Sequence, residues 1–226
     1  MTTSGTTAFN LNLTDLIEEA WERATGGGEI RSGYEFRTAR RSLGLLLMDW
    51  ASRGLNLWTV EQGSIQLVAG IATYALPCDT VDIIEHVLRA GAGNTQSDTA
   101  LNRISVSTYA TIPNKTSEAR PIQIYVDRQA TPSVTLWPVP DSSQTYSLVY
   151  WRMRRIEDPG TGQNTQDVPF RFLPCLVAGL AFYIAQKTPE GFQRLQMLKS
   201  EYDEAWLIAS TEDRSRASVR FVPWFK

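Results

Sequence analysis

Hydrophobic residues Leu13, Leu16, Ile17, Ala20, Trp21 and Ala24 recur at steps of three and four, which places them on one face of a helix. Asn12 or Thr14 can cap this helix, and the run Thr25-Gly26-Gly27-Gly28 ends it. Ser32 and Glu35 then have capping-box spacing. Phe36, Arg40, Leu43, Leu47, Trp50 and Leu57 mark a long second helix that stops near Arg53-Gly54. The pattern predicts helices over about 12–25 and 33–54.

From Trp58 the period shortens. Trp58–Glu61 and Ile65–Val68 are short β-rich runs, and Ala69-Gly70 leads into Thr73–Leu76, so a hairpin is expected here. Val81–Arg89, Ile122–Val126, Val134–Trp137 and Tyr146–Arg154 supply further strands between turn-forming segments. Residues 105–111 fit one helical turn that Pro113 terminates. Five or six strands spaced in this way suggest a small sandwich or open barrel.

Helical periodicity returns after Glu157–Asn164, a segment of turn formers without a large apolar residue. Asp167 can cap a helix carrying Phe170, Leu173, Val177, Leu180, Tyr183 and Ile184. Thr188-Pro189 opens a last helix with Phe192, Leu195, Leu198, Tyr202, Ala205, Trp206 and Ala209 on one face. An apolar stripe must be buried, so the economical arrangement packs the two N-terminal helices on the two C-terminal ones. The expected fold class is therefore α+β. A discontinuous helical domain (1–57 plus 165–212) carries an inserted β-domain (58–156), with a linker at 157–164 and an extended C-terminal arm at 213–226. The arm is basic and aromatic, and its Phe221, Trp224 and Phe225 need a surface to dock on.

Composition narrows the chemistry. In 226 residues, 42% are hydrophobic and 20% charged, enough apolar surface for a sizeable core. The net charge of −2 lacks the positive field of a dedicated nucleic-acid binder. One histidine, His86, and two cysteines, Cys78 and Cys175, leave little for zinc modules, disulfide frameworks or a Ser/His or Cys/His nucleophile pair. His86 falls in a strand and is read as a hydrogen-bonded sheet residue, and Cys175 falls in an apolar helix. Gly26-Gly27-Gly28 and Gly91-Ala92-Gly93 lack phosphate-loop spacing. No cofactor or metal is expected, nor a membrane span. The start of the chain lacks a secretory pattern, so the chain is expected to stay cytosolic when made.

Two charged features stand out. Tyr150-Trp151-Arg152-Met153-Arg154-Arg155 interleaves aromatic and guanidinium groups, as single-strand binding platforms do. The same residues suit a sheet edge that meets a neighbouring subunit, with Trp151, Arg152, Arg154 and Arg155 as contacts, and the near-neutral net charge favours that reading. Arg37, Arg40 and Arg41 give the second helix a positive stripe, and Glu18, Glu19 and Glu22 occupy the polar face of the first.

Leu46–Trp58, Ala75-Leu76-Pro77 with Asp79, Val81, Asp82 and Ile83, Ile112–Lys115, Tyr125–Gln129, Leu136–Pro140 and Val168–Pro174 together resemble head-to-tail adaptor (connector) proteins of tailed bacteriophages. The likeness spans residues 35–222 and carries no catalytic motif. The resemblance implies a ring, usually dodecameric, at the head–tail junction of the virion. Such a ring sits beneath the portal, joins it to a downstream tail or nozzle protein, helps to retain packaged double-stranded DNA and provides its exit conduit. It also implies that the arm reaches onto the portal, which here involves Arg214, Arg216, Arg220, Phe221, Val222, Pro223 and Trp224. A near-neutral chain suits such a conduit, since a strongly basic wall would hold the duplex by counterion release. Glu18, Glu19 and Glu22 are candidates to line part of the bore. A nucleic-acid-binding module built on residues 150–155 is the alternative function.

Overall fold

The structure, a computed structural model, describes residues 5, 9, 11–30, 32–54 and 57–213. The elements in chain order begin with α1 (Leu13–Thr25) and α2 (Gly33–Ser52), followed by β1 (Val60–Gln66), β2 (Thr73–Ala75), β3 (Thr80–Ala90), β4 (Ser97–Ala100) and β5 (Asn102–Ile104). Then come α3 (Val106–Ala110), β6 (Gln123–Asp127), β7 (Ser133–Trp137), β8 (Tyr146–Arg154), α4 (Leu173–Ala185), α5 (Pro189–Phe192) and α6 (Leu195–Glu212). The fold is α+β. By contacts the chain divides into two compact units, Met1–Trp58 with Ile156–Lys226, and Thr59–Arg155.

In the helical unit, α4 is the central element and packs against α1, α2 and α6. Its sequence is apolar all round, and Leu176, Leu180, Ala181 and Ala185 are fully buried. Gly179 permits the close approach of two neighbours: a Cβ there would stand 2.8 Å from the Tyr202 ring and 3.0 Å from Leu46. Trp50 Nε1 donates to the Tyr202 hydroxyl at 2.8 Å inside this core, so neither polar group is orphaned. Rings of Trp50, Trp58 and Trp206 surround buried Phe172, with centroids 4.6–6.1 Å from it.

Asn12, rather than Thr14, caps α1 by accepting from the Asp15 amide, and the Ser32/Glu35 capping box opens α2. Two expectations about the C-terminal helices change. Asp167 does not cap α4; its carboxylate accepts from the Glu157 amide, while Phe170–Phe172 form a 3-10 turn that leads into α4. Pro174 therefore sits in the first turn of α4, where its missing N–H is not needed. The Thr188-Pro189 start yields only the short α5, and α6 begins separately at Leu195. Phe192, expected on the buried face, is 71% exposed as a result. Asp213, assigned from sequence to the arm, closes α6 and is held by Arg171 and by the Leu57 amide. The segment 157–164 lies against the start of α1, where Leu13 N donates to Asn164 O at 2.9 Å.

The other unit contains two four-stranded sheets, ordered β1-β8-β3-β4 and β2-β7-β6-β5. Pairing is antiparallel except between β5 and β6. Side chains of both sheets share one core, including Leu88, Leu148 and Tyr150 from the first and Ile124, Val134 and Leu136 from the second. The sheets are not closed into a barrel. The expected hairpin is absent: β1 pairs with β8, β2 pairs with β7, and the chain between them is a corner joining the two sheets. Tyr74 pins that corner, its hydroxyl accepting from Val68 N and donating to Val68 O. β4 and β5 add to the strands foreseen; β4 is exposed along its whole length and carries no apolar alternation to announce it.

Candidate interaction surfaces

The second helix presents its arginines to solvent. Leu43, Leu46 and Trp50 bury one side of α2, while Tyr34, Arg37, Arg41, Leu45 and Met48 follow one another at steps of three and four on the opposite side. Tyr34, Arg37, Arg40 and Arg41, with Asp158 and Pro159, line a hollow of about 550 Å³. Among the described residues none of these three arginines forms an ion pair; Arg41 donates to the Thr38 hydroxyl at 3.1 Å. Sequence reading singled out this stripe but not Leu45 and Met48. Their signal was available as two apolar residues on the polar side of an amphipathic helix.

The three glutamates of α1 do not act alike. Glu18 and Glu22 are exposed and share a hollow of about 300 Å³ with Glu29. Glu19 is half-buried and accepts from Arg23 at 2.7 Å, an i, i+4 pair. No cluster of His, Cys, Asp and Glu able to hold a metal ion occurs among the described residues.

Residues 150–155 are not at a sheet edge. β8 lies between β1 and β3, so its backbone is paired on both sides. Side chains alternate along a strand, and Tyr150 points into the core over Gly63, where a Cβ would stand 2.5 Å from the Tyr150 ring. Arg152 and Arg154 continue on that same face, and Trp151, half-buried, lies on the other. Arg152 donates to Asp79 at 2.6 Å and to Glu61 at 3.0 Å, and Arg154 donates to Glu61 at 2.7 Å. The Arg152 hydrogen bond holds the Asp79 carboxyl below the usual carboxylate range, and Asp79 in turn raises Arg152. The aromatic and guanidinium groups thus share no open face on which bases could stack. Arg155 is exposed.

The residues considered for chemistry are placed as follows. His86 is half-buried on β3, with Nε2 3.2 Å from the Leu101 carbonyl oxygen, and burial pushes its pKa down. Cys175 is buried and its thiol is pushed up to about 12 by desolvation, which removes the thiolate a nucleophile needs. Cys78 is exposed. No helix among the described residues is long and apolar enough to cross a membrane. Arg214, Arg216, Arg220, Phe221, Val222, Pro223 and Trp224 lie outside the described residues.

The family model described as SU10 adaptor protein matches residues 11–222, nearly the whole chain and both of its units. The chain belongs to the SU10 adaptor protein family. This agrees with the likeness to phage head-to-tail adaptors carried by residues 35–222, and it makes the chain a phage adaptor. No curated protein matches it.

Proposed function

We propose that this chain is a structural component of the virion that forms a ring between portal and tail, helps to retain packaged DNA and gives it a way out. The observation that carries the reading is the family match across residues 11–222. It is supported by surfaces suited to contact with other chains: arginines without an ion pair on α2 among the described residues and carboxylates exposed on α1. A closed ring needs two different complementary faces on each subunit, which repeat around the axis until the rotation closes. Twelve copies are the number the family resemblance implies.

In this reading the basic, aromatic segment after Asp213 docks on the portal, and the β-unit offers a rim to the next tail protein. The acidic face of α1, with Glu18, Glu19 and Glu22, lines part of the passage, where like charge keeps the duplex from adhering. No bond of a substrate is made or broken. Reconstitution with the portal tests this: full-length protein forms a ring on the isolated portal that sediments with it, whereas protein ending at Asp213 stays folded and fails to bind. Full-length protein that does not associate with the portal contradicts the reading. The single-strand binding alternative has no geometric support, since Tyr150 is buried and Arg152 and Arg154 are paired.

A further inference from the structure

Both α2 and α6 pack on α4, and each turns a mixed apolar and charged stripe away from it. On α2 the stripe is Tyr34, Arg37, Arg41, Leu45 and Met48; Leu45 is 54% and Met48 67% exposed. On α6 it is Met197, Glu201, Glu204 and Ile208, again at steps of three and four, with Met197 45% and Ile208 62% exposed. Buried Leu198, Tyr202 and Ala209 occupy a different face of α6.

The stripes match in order and in sign. Each has apolar groups at both ends and charge in the middle, positive on α2 and negative on α6. The middle charges lack ionic partners: Arg37, Arg41, Glu201 and Glu204 are all exposed and form no ion pair among the described residues, although Arg41 donates to the Thr38 hydroxyl. Exposed Leu45, Met48 and Ile208 beside these charges give each stripe the apolar-plus-charged composition that a protein–protein contact uses. A face meant for nucleic acid would account for the arginines and leave the acidic stripe without a role. Two complementary stripes on one unit are what a head-to-tail contact between identical subunits requires.

We infer that the α2 stripe of one copy of this chain docks on the α6 stripe of the next, with Arg37 and Arg41 paired to Glu201 and Glu204 and the flanking apolar residues closing the ends. This rests on the ring reading and names the surfaces that build the ring. Charged pairs set the register and reject wrong partners, while Leu45, Met48 and Ile208 exclude water around them.

The test uses the full chain in four forms: unaltered, R37E/R41E, E201R/E204R, and all four substitutions together. Each is measured by sedimentation and negative-stain microscopy, alone and on the portal, with circular dichroism to verify folding. The unaltered and fourfold-substituted proteins are expected to form the same ring, and each twofold variant to lose it while keeping its helix content. Twofold variants that assemble as well as the unaltered chain overturn the inference and leave the ring reading standing. So does a fourfold variant that stays folded without assembling. Rings that form normally but no longer bind the portal would make the portal the occupant of the stripe, and also overturn it. An unaltered chain that forms no ring under either condition defeats the ring reading itself, and the inference with it.

Discussion

Gly63 and Tyr150 face each other across the β1–β8 ladder, and the ring occupies the space a Cβ would need. Gly63→Ala must push the Tyr150 ring out of the sandwich core, and overpacking of this kind costs about 1–3 kcal/mol. Urea denaturation should show that loss, and an unchanged midpoint would mean the strand can shift to make room. Trp50→Phe removes the donor to the Tyr202 hydroxyl, whose burial already pushes it up to about 12, and the orphaned oxygen costs about 1–3 kcal/mol by the same measurement. His86 is the one histidine, so the pH range it controls is narrow and readable. Burial lowers its pKa in the fold, so the unfolded chain takes up the proton first. Its contribution to stability is full above about 6.5 and declines as pH falls through that value toward the lower folded one. His86→Gln should lessen the fall of the urea midpoint below about pH 6.5 relative to the unaltered chain; equal slopes would place His86 in water. Asp82 has the opposite charge and loses stability at lower pH. Burial works against its ionised form, but bonds from Arg103 and Arg128 hold the carboxyl below the usual range. That support is lost only as pH falls below about 4. The residues of the 150–155 strand were visible in the sequence, but their partners were not: Asp79 and Glu61 lie 73 and 91 positions from Arg152.

Helices α1, α2 and α6 were legible as elements because each must bury one face, and the period of that face is written in Leu16, Ile17, Ala20, then Leu43, Leu47, Trp50, then Leu198, Tyr202, Ala209. Their ends were legible where side chains cap them. The start of α4 was misplaced because Asp167 looks like a cap and serves a different amide. Strands rich in apolar residues, such as β6 and β8, were found at nearly their true limits, whereas polar β4 left no trace. β1 was broken at Gly63 in the reading, since glycine there marks the close approach of a ring rather than a turn. The α2 cap offers a prediction at this scale. Ser32→Ala removes the acceptor of the Glu35 amide and costs about 0.5–2 kcal/mol, concentrated in the first turn that carries Tyr34 and Arg37. Hydrogen exchange should speed up in residues 33–38 while α4 stays protected; uniform acceleration would show that the first turn does not open on its own.

For the whole molecule, periodicity alone separated helical ends from a β-rich middle, and a string of short segments in retained order pointed to the adaptor family that the match over residues 11–222 establishes. Periodicity puts Leu45 and Met48 on the opposite side of α2 from their buried neighbours Leu46 and Leu47, but it could not show whether another element covers that side once each core is filled. The arm carries its own requirement. If the 13 residues after Asp213 dock on the portal, as proposed, ordering them costs on the order of 13–26 kcal/mol of backbone entropy, which their aromatic and basic side chains must offset by contacts there. The central claim is that copies of this chain encircle the exit path of the genome. Electron cryomicroscopy of the intact head–tail junction tests it most directly: a closed ring of this fold directly below the portal, with density for the residues after Asp213 on the portal surface, is the predicted result. A junction resolved to side-chain detail with this chain absent, or present without a closed ring, would contradict the account.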